Sequence, residues 1–258
     1  MLHSVFRPVR TRRPFEEAVA QIADAIRAGD LGLGDRLPPE RTLATQLDIS
    51  RPTLREAVKV LVNAGVLDVK PGPAGGIFVR SDVIPREVNA EDWQVRIGEV
   101  TDLLEARRLI QPRVAQLAGL RATESDFETM STTLDLLARS MKDRNRFLQL
   151  DERFQLSIAR AAHNRVLLEQ MRHLLYQLRS AKDYALRDGI SDSQWALDSL
   201  NRLLKAIMRR DPRLIEREMD EHLSYLEQLW AEETSRAQVR EIPEFMMPFR
   251  ERKSAPGG

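Results

Sequence analysis

Near residue 80 the chain changes rhythm, and that change limits the folds open to it more than any other feature. Before it, short segments are broken by Gly and Pro; beyond it, from about Val95 to Ala237, apolar residues recur at helical spacing over long stretches. Two architectures are joined, the fold class is mainly α, and 258 residues are enough for two ordinary domains. Between them SDVIPREVNAEDWQ, residues 81–94, is polar, carries Pro85 and keeps no period, which reads as a linker. The expected organisation is a basic flexible arm at 1–14, a small domain at 15–80, the linker, a helical domain at 95–237 and a disordered tail at 238–258.

Composition narrows the setting. With 42% hydrophobic and 31% charged residues the chain can bury a sizeable core, and no run of about 18 apolar residues is available to span a membrane. The opening MLHSVFRPVRTRR is basic but has no apolar stretch of the signal-peptide kind, so a cytoplasmic protein is expected. Zero cysteines remove disulfides, thiolate metal sites and cysteine nucleophiles together. Net charge +1 hides an asymmetry: residues 1–80 hold 12 Lys/Arg against 9 Asp/Glu, leaving 28 against 30 elsewhere. Arg7, Arg10, Arg12 and Arg13 precede the first helical pattern, where they either follow a phosphate backbone or form a solvated tail.

In the small domain FEEAVAQIADAIRA puts Val19, Ile22 and Ile26 on one helix face before Gly29 stops it. PPERTLATQL reads as a second helix opened by proline, with Leu43 and Leu47 inward. Asp48-Ile49-Ser50 is then a tight turn whose Ser50 caps RPTLREAVKVLVNAG. The third helix turns Leu54, Val58 and Leu61 to the domain and leaves Arg51, Thr53, Arg55 and Lys59 outside. A helix end with free N–H groups and arginines suits the major groove of DNA, where Arg pairs bidentately with guanine; ordinary surface helices also carry Arg and Lys. VLDVKPGPAGGIFV adds two strand-like stretches around a Pro/Gly turn, a β-hairpin that completes a winged helix-turn-helix.

GDRLPPERTLATQLDISRPTLREAVKVLVNAGVLDVKPGPAGGIFV resembles the DNA-binding signature of the GntR family of bacterial transcription regulators. The resemblance implies that Arg41, in the PxER motif, and Ser50, Arg51, Thr53 and Arg55, opening the third helix, reach DNA. It places the wing glycine, Gly72, near the minor groove and offers Arg36 as a phosphate contact or a plain surface charge. Asp48 departs from the family, which usually has Gly in that turn.

The rest of the chain divides into six helices, at roughly 97–120, 124–141, 144–162, 165–187, 193–209 and 212–234, with short connections that favour an antiparallel six- or seven-helix bundle. Ser125 or Thr123 caps the second, Asn164 follows a helix end, Gly189 with Ser191 marks a turn, and Asp211 caps ahead of Pro212. LLEARRLIQP, LDERFQLSIARAAHN and LLKAIMRRDPRLIEREMDEHL are similar to the ligand-binding domain of the FadR subgroup, many members of which hold a divalent metal with one Asp and three His. That set maps onto Asp151, Gln155, Leu200 and His222, with two imidazoles missing, so no metal and no cofactor are expected. His163 reads as a helix-end residue and His173 as a surface or partly buried one. Arg107, within LLEARR, is the candidate to grip a carboxylate, or else pairs with Asp151 or another acid. Met171, Tyr176, Tyr184 and Trp195 line a cavity or belong to the core.

The resemblance implies a homodimer on a pseudo-palindromic operator in double-stranded DNA, most members being repressors, with a carboxylate or acyl-CoA effector bound through Arg107, Asp151, Gln155, Leu200 and His222. Two other readings stay open: a metal-binding member, and a constitutive DNA binder whose bundle only dimerises. A metalloenzyme is disfavoured, since no histidine has Glu three residues before it and neither HExxH, a phosphate loop nor a nucleophile elbow is present.

Overall fold

Three short helices and a hairpin build the first of two units into which the chain divides, Met1–Glu91; the second is Asp92–Gly258. The structure, a computed structural model, describes residues 14–72, 75–89, 97–185 and 190–234. Arg7, Arg10, Arg12 and Arg13 of the basic arm, residues 90–94 of the expected linker and the tail at 238–258 lie outside the described residues.

Helix α1, Pro14–Arg27, buries Val19, Ile22 and Ile26, the stripe that its apolar spacing dictates. Helix α2, Glu40–Gln46, begins just after Pro38-Pro39 and buries Leu43. Helix α3, Arg51–Asn63, buries Leu54, Val58 and Leu61 against both. Leu54 is wholly enclosed, so truncation to Ala costs on the order of 2–5 kcal/mol. Strands β1, Leu67–Lys70, and β2, Gly76–Val79, pair antiparallel with Leu67 opposite Val79 and Lys70 opposite Gly76. A lone hairpin is marginal in water. Here residues 34–37 back β2, with Leu37 N–H donating to the Ile77 carbonyl at 2.8 Å and Val79 N–H to that of Asp35 at 2.9 Å. The expected linker starts inside this unit: Ile84 is fully buried in its core, and a 3-10 turn, Arg86–Asn89, packs on α1. Burial of one isoleucine outweighs the polar character of its neighbours.

The second unit has six helices among the described residues: α4 Ile97–Arg121, α5 Glu124–Arg139, α6 Arg144–Ala161, α7 Arg165–Ala185, α8 Ile190–Met208 and α9 Pro212–Thr234. Met130, Leu134 and Leu137 of α5, Leu150, Phe154 and Ile158 of α6, Leu203 and Ile207 of α8, and Met219 and Leu223 of α9 form its apolar core. Gly119 lets α4 approach α9, since a Cβ there would stand 2.7 Å from Ile215 Cδ1. The helix starts have local causes: Thr123 and Asp126 form a reciprocal capping box on α5, and Asp143 Oδ1 accepts from Arg146 N–H on α6. Asn164 Oδ1 accepts from Leu167 N–H, so Asn164 starts α7 as well as following α6, and Asp211 caps α9. Ser191 lies within α8 rather than in a turn before it, and Gly189 is outside the described residues. Pro112 sits inside α4, where it removes one backbone donor without ending the helix. No helix among the described residues is long and apolar enough to cross a membrane.

Candidate nucleic-acid interface and buried polar cluster

The turn between α2 and α3 aims the start of α3 outward. Asp48 takes φ +52°, a left-handed conformation that Asp tolerates better than most residues, and this lets the chain reverse where the family usually has Gly. Ser50 is the N-cap: its Oγ accepts from Thr53 N–H at 3.2 Å and shares a 2.7 Å hydrogen bond with Thr53 Oγ1. Arg41, Arg51, Arg55 and Lys59 are exposed, and Thr53 is partly so. One residue that sequence reasoning missed pairs with two of them. Glu40, first in α2, receives Arg51 Nε at 3.2 Å and Arg55 Nε at 2.8 Å on the same oxygen, Oε1. Desolvation pushes the Glu40 carboxyl up, and the hydrogen bonds and charges of Arg55 and Arg51 outweigh it, holding the group below its usual range. Its position beside Arg41 in the PxER stretch was the available signal.

In the wing, Gly72 adopts φ +97°, which a side chain would strain; residues 73–74 are outside the described set. Arg36 is committed locally: its guanidinium donates to the Gly75 carbonyl and lies 5.9 Å from the centre of the Phe78 ring, which Lys70 covers at 4.8 Å. It braces the wing, and its charge stands at the surface.

In the second unit polar groups are buried instead. Arg107 is 1% exposed, yet only its Nε has a partner, Gln111 Oε1 at 2.6 Å; neither terminal nitrogen finds a hydrogen-bond acceptor among the described residues. Burial drives this guanidinium down to about 10, against the pull of Asp151 and Glu227, so it stays charged at neutral pH. Asp151 thus acts on it through space, without the hydrogen-bonded ion pair that was one of the sequence alternatives. Neighbouring Arg108 is the opposite case, bonded to both oxygens of Glu227 at 2.9 and 2.6 Å, to Ser224 at 3.0 Å and to Asp220.

From Arg107 a directional chain of hydrogen bonds crosses the helices. Gln111 Nε2 donates to Gln155 Oε1, and Gln155 Nε2 donates to His222 Nε2 at 3.2 Å. His222 must therefore carry its proton on Nδ1, which faces Ser199 Oγ at 3.3 Å. Trp195 stacks near His222 and, at 3.8 Å between ring centres, on Tyr225. Leu200 brings no polar atom here; it is fully buried in the apolar core, and the α8 residue that reaches His222 is Ser199. Gln111 and Ser199 were unread in the sequence, although Gln111 follows Arg107 by one helical turn. Met171 is buried, Tyr176 lies under Arg179 at 5.0 Å, and the side chain of Tyr184 is outside the described residues. His173 is exposed, and His163, between α6 and α7, pairs with Asp126 at 2.9 Å.

The cluster does not fit a divalent metal. The Nε2 lone pair of His222 is taken by Gln155, the residue at 155 is a neutral amide, and no group of three His, Asp or Glu stands together among the described residues.

Comparison with known proteins follows the same division. A family model described as "Bacterial regulatory proteins, gntR family" matches residues 14–79, and one described as "FCD domain" matches residues 102–225. The chain is 31% identical over 229 residues to the Uxu operon transcriptional regulator of Escherichia coli (strain K12), covering 84% of this chain and 86% of that protein. With the Exu regulon transcriptional regulator of the same strain it shares 29% identity over 235 residues, 87% of each. Among solved structures, E. coli McbR/YncC matches with a TM-score of 0.52 at 18% identity over 87% of this chain and 100% of that one, a likeness of fold alone.

Proposed function

The chain belongs to the gntR family of bacterial regulatory proteins and carries an FCD domain, so it is a transcription regulator rather than an enzyme, and from that premise we propose how it reads DNA and what it senses. It binds a pseudo-palindromic operator as a homodimer in the cytoplasm, entering the major groove with the start of α3. Arg51 and Arg55 read base edges, Arg41, Ser50 and Thr53 hold the backbone, and the wing at Gly72 lies along the minor groove. Arg36 supports that wing and adds its charge toward phosphate.

The FCD unit takes an organic carboxylate. The observation that carries this is the buried guanidinium of Arg107, whose two terminal nitrogens lack acceptors among the described residues. Burying such a group without acceptors is costly, and a carboxylate would supply both in the geometry a guanidinium prefers. Gln155, His222 and Ser199 offer hydrogen bonds to the rest of the ligand, Asp151 supplies the balancing charge, and Leu200 an apolar wall. Occupancy shifts operator affinity through linkage, in the repressor sense of release.

Thermal unfolding across a panel of small carboxylates, dicarboxylates and acyl-CoA thioesters tests the sensing half. A ligand at a hundred times its Kd stabilises by about 2.7 kcal/mol. A panel with no effect on the wild-type chain would leave Arg107 as a structural charge and the bundle as a dimerising module.

A further inference from the structure

We propose that Glu40 is a positioning residue for DNA specificity, one carboxylate oxygen that fixes Arg51 and Arg55 in a shared orientation before DNA arrives. The inference rests on the reading of α3 as the groove-entering helix. Both ion pairs use the Nε of the arginine, and both converge on Glu40 Oε1. The terminal nitrogens of Arg51 and Arg55 have no partner among the described residues, so each guanidinium keeps a free edge of coplanar donors. That edge is what bidentate pairing to guanine O6 and N7 requires. The arginines are 56% and 64% exposed and, without Glu40, would sample many rotamers that binding must then freeze. Glu40 sits on α2, eleven residues before Arg51, so the clamp spans the helix-turn-helix and is set by the turn at Asp48.

The same carboxylate has an opposing effect. A negative charge at the DNA-reading end is repelled by phosphate whatever the sequence. Orientation helps only where guanines match the two arginines, whereas repulsion penalises every duplex. Glu40 therefore raises the ratio of specific to nonspecific affinity and lowers affinity in general.

The test selects a binding sequence for the full-length wild-type chain from a random duplex pool. Kd is then measured for the selected and for a scrambled duplex with wild type, Glu40→Ala, Glu40→Gln and Glu40→Asp, at several salt concentrations. Glu40→Ala and Glu40→Gln are expected to bind scrambled DNA more tightly and to lose about tenfold in the ratio, roughly one weakened base contact. Glu40→Asp, which keeps the charge but not the reach, should leave scrambled binding unchanged and still lose ratio. Two results would overturn the proposal: an unchanged ratio in all three variants, with both affinities moving together, or a switched preference at a single base, which would make Glu40 itself a base reader. A wild-type chain that enriches no sequence would instead refute the DNA-reading assignment beneath it. Melting temperatures close to wild type verify that each variant is folded.

Discussion

Arg51 and Arg55 stand more than half exposed at one helix end of the first unit, while Arg107 in the second unit is 1% exposed, its terminal nitrogens unbonded among the described residues. On the proposed function, the same side chain serves two recognition problems. DNA is large and approaches from outside, so its proposed readers, Arg51 and Arg55, lie on the surface, close together in sequence and paired with one neighbour, Glu40. A small ligand must be surrounded, and the proposed site draws on four helices, since the chain Arg107, Gln111, Gln155, His222 and Ser199 runs from α4 through α6 and α9 to α8. Surface charges keep their solvation and cost little, whereas a buried charge without full pairing lowers stability until a partner arrives.

The largest effect that would sharpen this contrast is a gain of function in the second unit. Gln155→His with Ser199→His should raise zinc binding from unmeasurable to micromolar Kd by calorimetry, a change of about 4 kcal/mol or more. Gln155→His with Leu200→His, the pair that the family register favours, should lower the melting temperature instead, because Leu200 lies in the apolar core. Zinc binding by the Leu200 pair alone would show that α8 presents the other face.

In the first unit, Arg51→Ala and Arg55→Ala should each remove about 1–3 kcal/mol of operator preference by competition binding, with the melting temperature nearly unchanged. A loss of folding would break the comparison by making these residues structural. Arg107→Met should abolish the carboxylate-induced stabilisation of about 2.7 kcal/mol at a hundredfold excess over the wild-type Kd, without changing DNA affinity in the free protein.

The smallest effect concerns a cap with no ligand to hold. Thr123→Ala should cost about 1 kcal/mol in chemical denaturation. Desolvation raises the Asp126 carboxyl, but hydrogen bonds from Thr123 and His163 win and hold it below its ordinary value of 3.8. The folded state thus favours the ionised form, so this stabilisation is complete above pH 3.8 and is lost as pH falls through the lower folded value. An equal loss at pH 7 and well below pH 3 would show that Asp126 contributes no charge-dependent part.

Local chemistry made much of the architecture legible. The spacing of Val19, Ile22 and Ile26, the Ser50 cap, the Pro/Gly turn of the wing and the caps at Thr123 and Asp211 each act within a few residues, and the helices begin where those signals stand. Ile84 was read as linker because the few apolar residues near it, Val83 and Val88 among them, keep no period to reveal a buried one, and Ser191 as a turn because turn-forming residues also open helices. Arg107, Asp151, Gln155 and His222 were named from family motifs, but Gln111 and Ser199, which bond to Arg107 and His222, were not.

From its amino acids alone this chain determined its two architectures, the winged helix and the arginines that open α3, because those depend on periodicity and on neighbours within one or two turns. Only the tertiary structure decided that one carboxylate pairs with both Arg51 and Arg55 and that Ser199 faces His222. It also decided that Arg107 lies buried with two unsatisfied nitrogens. These depend on contacts between different helices, made by residues 11 and 23 apart in the chain, and on which groups water can no longer reach.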